Sequence, residues 1–182
     1  MSTELLAIAP DSTEFAPYYG KYTSRVKSNN IIATLETQVE QTKSVLGALT
    51  DAQAGFRYAP DKWSIRQMLG HMSDTERIFS YRALRIARGD KTPIEGFEQD
   101  DYVRNGPFEH CTLAGLLDEF SAVRRATVFL FRSLEPEAWA RRGTASGYEF
   151  TVRALAHIIA GHELHHIEVL KERYLPALKT SR

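Results

Sequence analysis

The sequence predicts an all-α protein folded as a four-helix bundle. Three observations carry this. Four stretches place apolar residues at three- and four-residue steps, the spacing of one helix face. Helix starts carry capping chemistry, with Ser64 three residues before Gln67, and with Thr112 and Thr151 heading the later stretches. No run alternates strongly enough to read as a strand, and no internal repeat or low-complexity segment interrupts the pattern.

Residues 1–27 place Pro10, Pro17 and Gly20 among Phe15, Tyr18, Tyr19 and Tyr22, and read as an irregular arm. So many aromatics imply that the arm packs on something, either its own bundle or a partner subunit. The bundle domain is expected over 28–175, with a tail over 176–182. Its first helix, 28–49, turns Ile31, Ile32, Leu35, Val39, Val45, Leu46 and Leu49 to one side. The second opens on the Ser64 and Gln67 capping box, in which hydroxyl and amide satisfy N–H groups that the first turn leaves open. It carries Ile65, Met68, Leu69, Met72, Ile78 and Phe79, and should stop near Arg88 with Gly89 just beyond. Residues 89–111 form a long connection containing Pro93, Gly96, Gly106 and Pro107, and loops of that length usually serve a function or cover something. Thr112 caps a third helix bearing Leu113, Leu116, Leu117, Phe120, Val123, Leu130 and Leu134. Thr151 caps a fourth with Val152, Leu155, Ile159, Val169 and Leu170 inside, ending near Tyr174 before Pro176.

A chain of 182 residues suits one domain with a sizeable core. The 23 basic side chains balance the 23 acidic ones, which argues against nucleic acid as a partner. The doublets Arg124-Arg125 and Arg141-Arg142 read as solvated faces. Cys111 is the single cysteine, so no internal disulfide is available, and it reads as structural rather than as a nucleophile. The first residues carry no basic leader, and no run approaches the ~20 apolar residues that span a bilayer. A cytoplasmic protein with no membrane partner is expected.

The chemistry concentrates in Gly-His-Glu-Leu-His-His, residues 161–166. Residues four apart on a helix lie about 40° apart around its axis, so His162 and His166 share the stripe of Leu155 and Ile159 and should point inward. Two adjacent buried imidazoles are costly if charged and poorly satisfied if neutral, and a divalent metal resolves this by taking a lone pair from each. His71, between Met68 and Met72, lies on or beside the inner face of the second helix. Two readings stand: core histidines bonded to neighbours, or a three-histidine metal site with positions open to water or substrate. Three inner histidines on two helices favour the metal.

His162-Glu163-x-x-His166 also spells a zinc-protease string. Its context fails, because Val169 and Glu172 stand where one protease type needs glycine and histidine. No later helix supplies the glutamate that the other type needs, and Glu168 and Glu172 share the histidines' own helix. Glu163 and His165 lie about 80° from the centre of the stripe; each could support the ligand histidines or act as an acid-base helper, but surface or subunit contact is the favoured reading for both. His157 is turned away from the pair, and His110 falls in the long connection.

The segments RYAPDKWSIRQMLGHMSDTERIFSYRALRIARGD, GFEQDDYVR and TVRALAHIIAGHELHHIEVLKERYL resemble the DinB/YfiT-like superfamily, in its DinB-like branch, from about Tyr18 to Leu175. A Trp-Ser helix start followed by a histidine, joined with a late His-x3-His, carries the resemblance. It implies an up-down-down-up four-helix bundle, often a homodimer. It also implies a divalent metal, commonly nickel or zinc, on three histidines that fall at His71, His162 and His166. The activities it implies act on a small-molecule substrate: S-transfer with a low-molecular-weight thiol as co-substrate, mycothiol-dependent isomerisation, or metal-dependent hydrolysis. The alternative is a non-catalytic bundle that binds a metal or ligand. The connection 89–111, with Asp100, Asp101, Tyr102 and Arg104, is expected to cover the mouth of the site and help select substrate.

Overall fold

Four long helices, α1 (Ile31–Leu46), α2 (Ile65–Ala87), α3 (Leu113–Arg132) and α4 (Val152–Val169), carry the fold in the computed structural model, which describes residues 9–180. Each begins where a side-chain oxygen takes a free N–H of the first turn: Asn30 from Ala33, Ser64 from Gln67, Thr112 from Gly115 and Thr151 from Ala154. The Ser64 and Gln67 box closes in both directions. At the far end of α2, Gly89 turns the chain at a φ of 82°.

The apolar faces meet in two clusters, one at each end of the bundle. The first joins the starts of α1 and α4 (Ile31, Leu35, Leu155, Ile158) to the ends of α2 and α3 (Phe79, Ile86, Phe131). The second joins Leu46 of α1 and Ile167 of α4 to the starts of α2 and α3 (Ile65, Leu69, Leu116, Phe120). Helices α1 and α4 therefore run one way and α2 and α3 the other, which is the up-down-down-up bundle. Because α2 and α3 are parallel, the chain between them must travel back along the bundle. That is the physical reason for the long connection, which holds a short helix, Gln99–Asn105, and a 3-10 turn, Phe108–His110.

A buried polar belt separates the two clusters. Arg124, 2% exposed, donates through Nε and Nη2 to both oxygens of Glu76, each at 2.8 Å, and through Nη1 to the Leu35 carbonyl at 2.8 Å. Its Nη2 also lies 2.7 Å from Glu163 Oε2, and Thr42 donates to the other Glu163 oxygen at 2.5 Å. Gln38 donates to the Ala160 carbonyl at 3.1 Å. Arg124 is therefore not part of a solvated face. Counted from Leu113 it falls within 20° of the stripe that holds Phe120 and Phe131, and the bundle encloses that stripe. Arg141, by contrast, is exposed.

The arm packs on its own bundle. Phe15, Tyr22 and Val26 are buried, and Glu14 accepts from Thr151 Oγ1 at 2.7 Å and pairs with Arg153. Gly161 permits the approach, since a Cβ there would run into the Tyr22 carbonyl. Residues 1–8 of the expected arm and 181–182 of the expected tail lie outside the described residues.

Two expectations need correction. A two-stranded hairpin, β1 (Arg142–Ala145) with β2 (Tyr148–Thr151), stands where no strand was read. Four-residue strands are too short to alternate visibly. The turn residues Ser146 and Gly147, at φ 51° and 77°, were the available signal. The last helix also does not stop before Pro176. It widens over Leu170–Tyr174, where the Leu175 N–H reaches the Leu170 carbonyl, and continues over Leu175–Thr180. The wider turn sits where a proline without an N–H disrupts the regular ladder. Among the described residues no helix is long and apolar enough to cross a membrane.

Replacing Arg124 by methionine leaves Glu76 and Glu163 buried without their cation. Guanidinium-induced unfolding should show a loss of about 3–5 kcal/mol, with most of it recovered when both glutamates are also changed to glutamine. A variant as stable as wild type would show that the belt contributes nothing.

Candidate metal centre

Antiparallel packing of α2 against α4 brings the first third of α2 beside the second half of α4. This places His71 against His162 and His166. His162 Nε2 lies 3.0 Å from His71 Nε2 and 3.0 Å from His166 Nε2. All three ligand atoms lie within 4.8 Å of one another, and all three residues are buried. The rings pack edge to face, at centroid distances of 4.9 Å for His71 with His162 and 4.5 Å for His162 with His166.

Second contacts hold the rings in place. Trp63 lies 4.7 Å from the His71 ring, and its carbonyl accepts from Tyr174 Oη at 2.7 Å, so the end of the last helix fixes the approach to α2. Thr75 Oγ1 is 3.4 Å from His71 Nδ1. Tyr22 of the arm meets the His162 ring edge-on at 5.3 Å. His166 Nδ1 is buried without a hydrogen-bond partner.

Burial keeps the trio neutral. It pushes His71 down to about 4, and pushes His162 and His166 well below the ordinary histidine value, helped by the neighbouring imidazoles. A neutral imidazole nitrogen carries either one proton or one in-plane lone pair. His162 Nε2 faces two neighbours at hydrogen-bond distance but can complete only one such bond. A cation accepts a lone pair from each of the three. The donor set fits a divalent ion.

Two of the three, His71 and His162, open into a cavity of about 240 Å³ lined also by Thr75, Phe79 and the arm tyrosines Tyr18, Tyr19 and Tyr22. Its outer wall comes from the long connection, through Phe97, Glu98, Gln99 and Asp100. The connection thus forms the outer wall as expected, with Asp100 among the expected residues and Phe97, Glu98 and Gln99 in place of the other three. Asp100 lines the cavity, whereas Asp101 pairs with Arg104 on the exposed side of the short helix, and Tyr102 packs on Phe97 from outside. At the rim Tyr18 Oη lies 3.5 Å from Tyr22 Oη, and Lys21 Nζ sits 3.7 Å above the Tyr18 ring. Partial burial opposes ionisation of Tyr18, but Lys21 and Tyr22 outweigh it and lower its pKa. Burial raises Tyr22. A larger groove of about 560 Å³ between α1 and α3 has no histidine or cysteine in its lining.

Glu163 is 2% exposed and bound to Arg124 and Thr42, so it is neither a surface residue nor a subunit contact. It lies 40° from Ile159 around the helix, and that proximity to the inner stripe was the available signal. Its lock on Arg124 also removes it from the role a zinc protease gives this glutamate. His165 is half-buried against Tyr22 and outside the trio. His157 is buried but turned away, with Nδ1 3.0 Å from the Arg153 carbonyl. His110 is exposed, and Cys111 is half-buried with its thiol toward the Pro107 carbonyl.

The sequence profile of the DinB superfamily matches residues 34–170, from within α1 to the residue after α4. The chain belongs to the DinB superfamily. This DinB-superfamily chain is 28% identical over 142 residues to a Bacillus pumilus (strain SAFR-032) protein named "Putative metal-dependent hydrolase", covering 74% of this chain and 79% of that protein. Its fold matches the structure of YfiT from Bacillus subtilis, described as a probable metal-dependent hydrolase with an unusual four-helix bundle topology. The TM-score is 0.72, at 18% identity, over 93% of this chain and 95% of YfiT. At that identity the likeness concerns the fold.

For the metal-free DinB-superfamily chain the pH dependence has a definite sign. The folded values of the trio lie below the ordinary 6.5, so between about pH 6.5 and 4 the unfolded chain binds protons that the folded chain does not. Stability should be level above pH 6.5 and fall on acidification by about 1.4 kcal/mol per pH unit for each such histidine. Urea midpoints of chelator-treated protein from pH 7.5 to 5 test this, and a flat series would mean that the imidazoles are not held neutral.

Proposed function

We propose that this chain is a divalent-metal-dependent enzyme that hydrolyses a small molecule bound in the tyrosine-lined cavity. The observation that carries the reading is the convergence of three neutral, buried imidazole Nε2 atoms where two of the residues open into that cavity. Relatives named as metal-dependent hydrolases support it. His71, His162 and His166 would hold the ion, and three imidazoles suit nickel or zinc. When bound, such an ion supplies Lewis acidity and lowers the pKa of a coordinated water or thiol.

The chain's own residues do the rest. The Tyr22 ring and Trp63 keep the imidazoles aimed and shield them from bulk water. Tyr18 Oη, beside Lys21 and Tyr22, is the group at the rim suited to hold or pass a proton. Glu163 takes no part in proton transfer, being engaged by Arg124 and Thr42. S-transfer with a low-molecular-weight thiol uses the same open side of the trio, and differs only in whether thiol or water meets the substrate. The homodimer and the cytoplasmic setting expected from the sequence are part of the same proposal, and the solution mass tests the first.

Elemental analysis of tag-free protein should find about one divalent ion per chain, lost in His71→Ala, His162→Ala and His166→Ala. Turnover of an ester and amide panel, with and without added thiol, should follow metal content and separate hydrolysis from S-transfer. A wild-type chain that takes up neither nickel nor zinc would make these core histidines and end the enzyme reading. Full metal content with no turnover on any substrate would favour a binding module instead.

A further inference from the structure

Arg82 stands on α2 three turns beyond His71. Eleven residues bring it within 20° of His71 around the axis and about 16 Å along it, with Thr75 and Phe79 between. It is fully buried, at 0% exposure. Its Nη2 donates to the Glu95 carbonyl at 3.0 Å and to Ser146 Oγ at 2.8 Å, both neutral acceptors. Nε and Nη1 have no well-formed hydrogen bond, the Tyr19 phenol beside the guanidinium is a neutral polar partner, and no carboxylate among the described residues pairs with this guanidinium. Arg124, equally buried, has two.

The guanidinium lies against the cavity wall. The guanidinium carbon is 5.3 Å from the Phe79 ring centre and 5.9 Å from that of Phe97, and the Tyr19 phenol interacts with it electrostatically. Phe79, Phe97 and Tyr19 all line the cavity that holds His71 and His162. A buried cation without a counter-charge is unfavourable, and a methionine would fill the same space at lower cost. The arrangement makes sense when the counter-charge arrives with a ligand.

We infer that Arg82 is the anion-binding group of this cavity, and that the substrate carries a carboxylate at the end remote from the histidines. The inference deepens the proposed function and rests on the cavity being the substrate site. A single guanidinium neutralises a single negative charge. The exposed Glu98 and Asp100 at the rim repel a more highly charged group, so a monoanion is the fitting ligand. The carboxylate reaches Nη1 or Nε by turning the Phe97 or Tyr19 ring aside. Glu95 and Ser146 hold the guanidinium in place meanwhile.

Calorimetric titration of the purified chain with hexanoate and with its neutral isostere hexanamide tests this. Wild type should bind hexanoate about tenfold or more tightly than hexanamide. Arg82→Met should lose that preference while keeping metal content and an unfolding midpoint no lower than wild type. Arg82→Gln, which retains hydrogen-bonding to Glu95 and Ser146 without the charge, decides the matter if the methionine variant does not fold. Equal binding of the two probes by wild type would overturn the inference. So would a carboxylate preference that survives in the folded Arg82 variant, since the anion would then sit on the histidine site. A chain that binds no metal yet prefers hexanoate through Arg82 would end the enzyme reading and with it the substrate, and leave Arg82 as the anion-binding group of a ligand cavity.

Discussion

The guanidinium of Arg124 touches all four helices of the bundle: it rises from α3, grips Glu76 of α2, pairs with Glu163 of α4 and donates to the Leu35 carbonyl of α1. One cation faces two carboxylates in a dry belt. Burial there raises Glu163, against the pull of Arg124, while the two glutamates outweigh burial and hold Arg124 charged. Such clusters are poor sources of net stability, yet costly to break, and they accept only one arrangement of their parts. The arrangement fixes register. Glu76 stands five residues after His71, and Glu163 follows His162 directly. A slip of one residue in α2 or α4 would displace a histidine by 1.5 Å along the axis and 100° around it, enough to dismantle the trio.

Much of this was legible in the sequence. The four helices, their caps at Ser64, Thr112 and Thr151, and the inward aim of His71, His162 and His166 follow from local rules: a side-chain oxygen beside free N–H groups, and an angle of 100° per residue. What escaped was the meaning of charge on an inner stripe. Arg124 and Glu76 both fall on the apolar stripes of their helices, but an arginine doublet reads as a wet surface until the partner carboxylates are known to converge on it. Glu163 escaped for a related reason. A helix packed by α1, α2 and the arm is buried around most of its circumference, so an angle of 80° from the stripe centre does not mean exposure.

The substrate side was hardest to read. Connection length announced a cover over the site, because length follows from the return path between parallel helices. Which residues face inward depends on how the short helix Gln99–Asn105 lies, and its period does not disclose that. Asp100 was placed well, while Tyr102 and Arg104 turned outward. Arg82 sits on the inner stripe of α2 as Glu76 does, but its lack of a counter-charge is a property of tertiary neighbours that are absent rather than present.

The docking of the arm has a consequence for how the molecule comes together. Glu14 contacts Thr151 and Arg153 across 137 and 139 residues of chain, among the most non-local contacts in the structure. Non-local contacts form only after the intervening chain has been ordered. The histidine floor needs only α2 and α4, but the tyrosine wall needs the arm, which precedes α4 in the chain, to wait for that helix and then settle on it at Gly161. Assembly of the site is therefore expected to proceed from floor to wall.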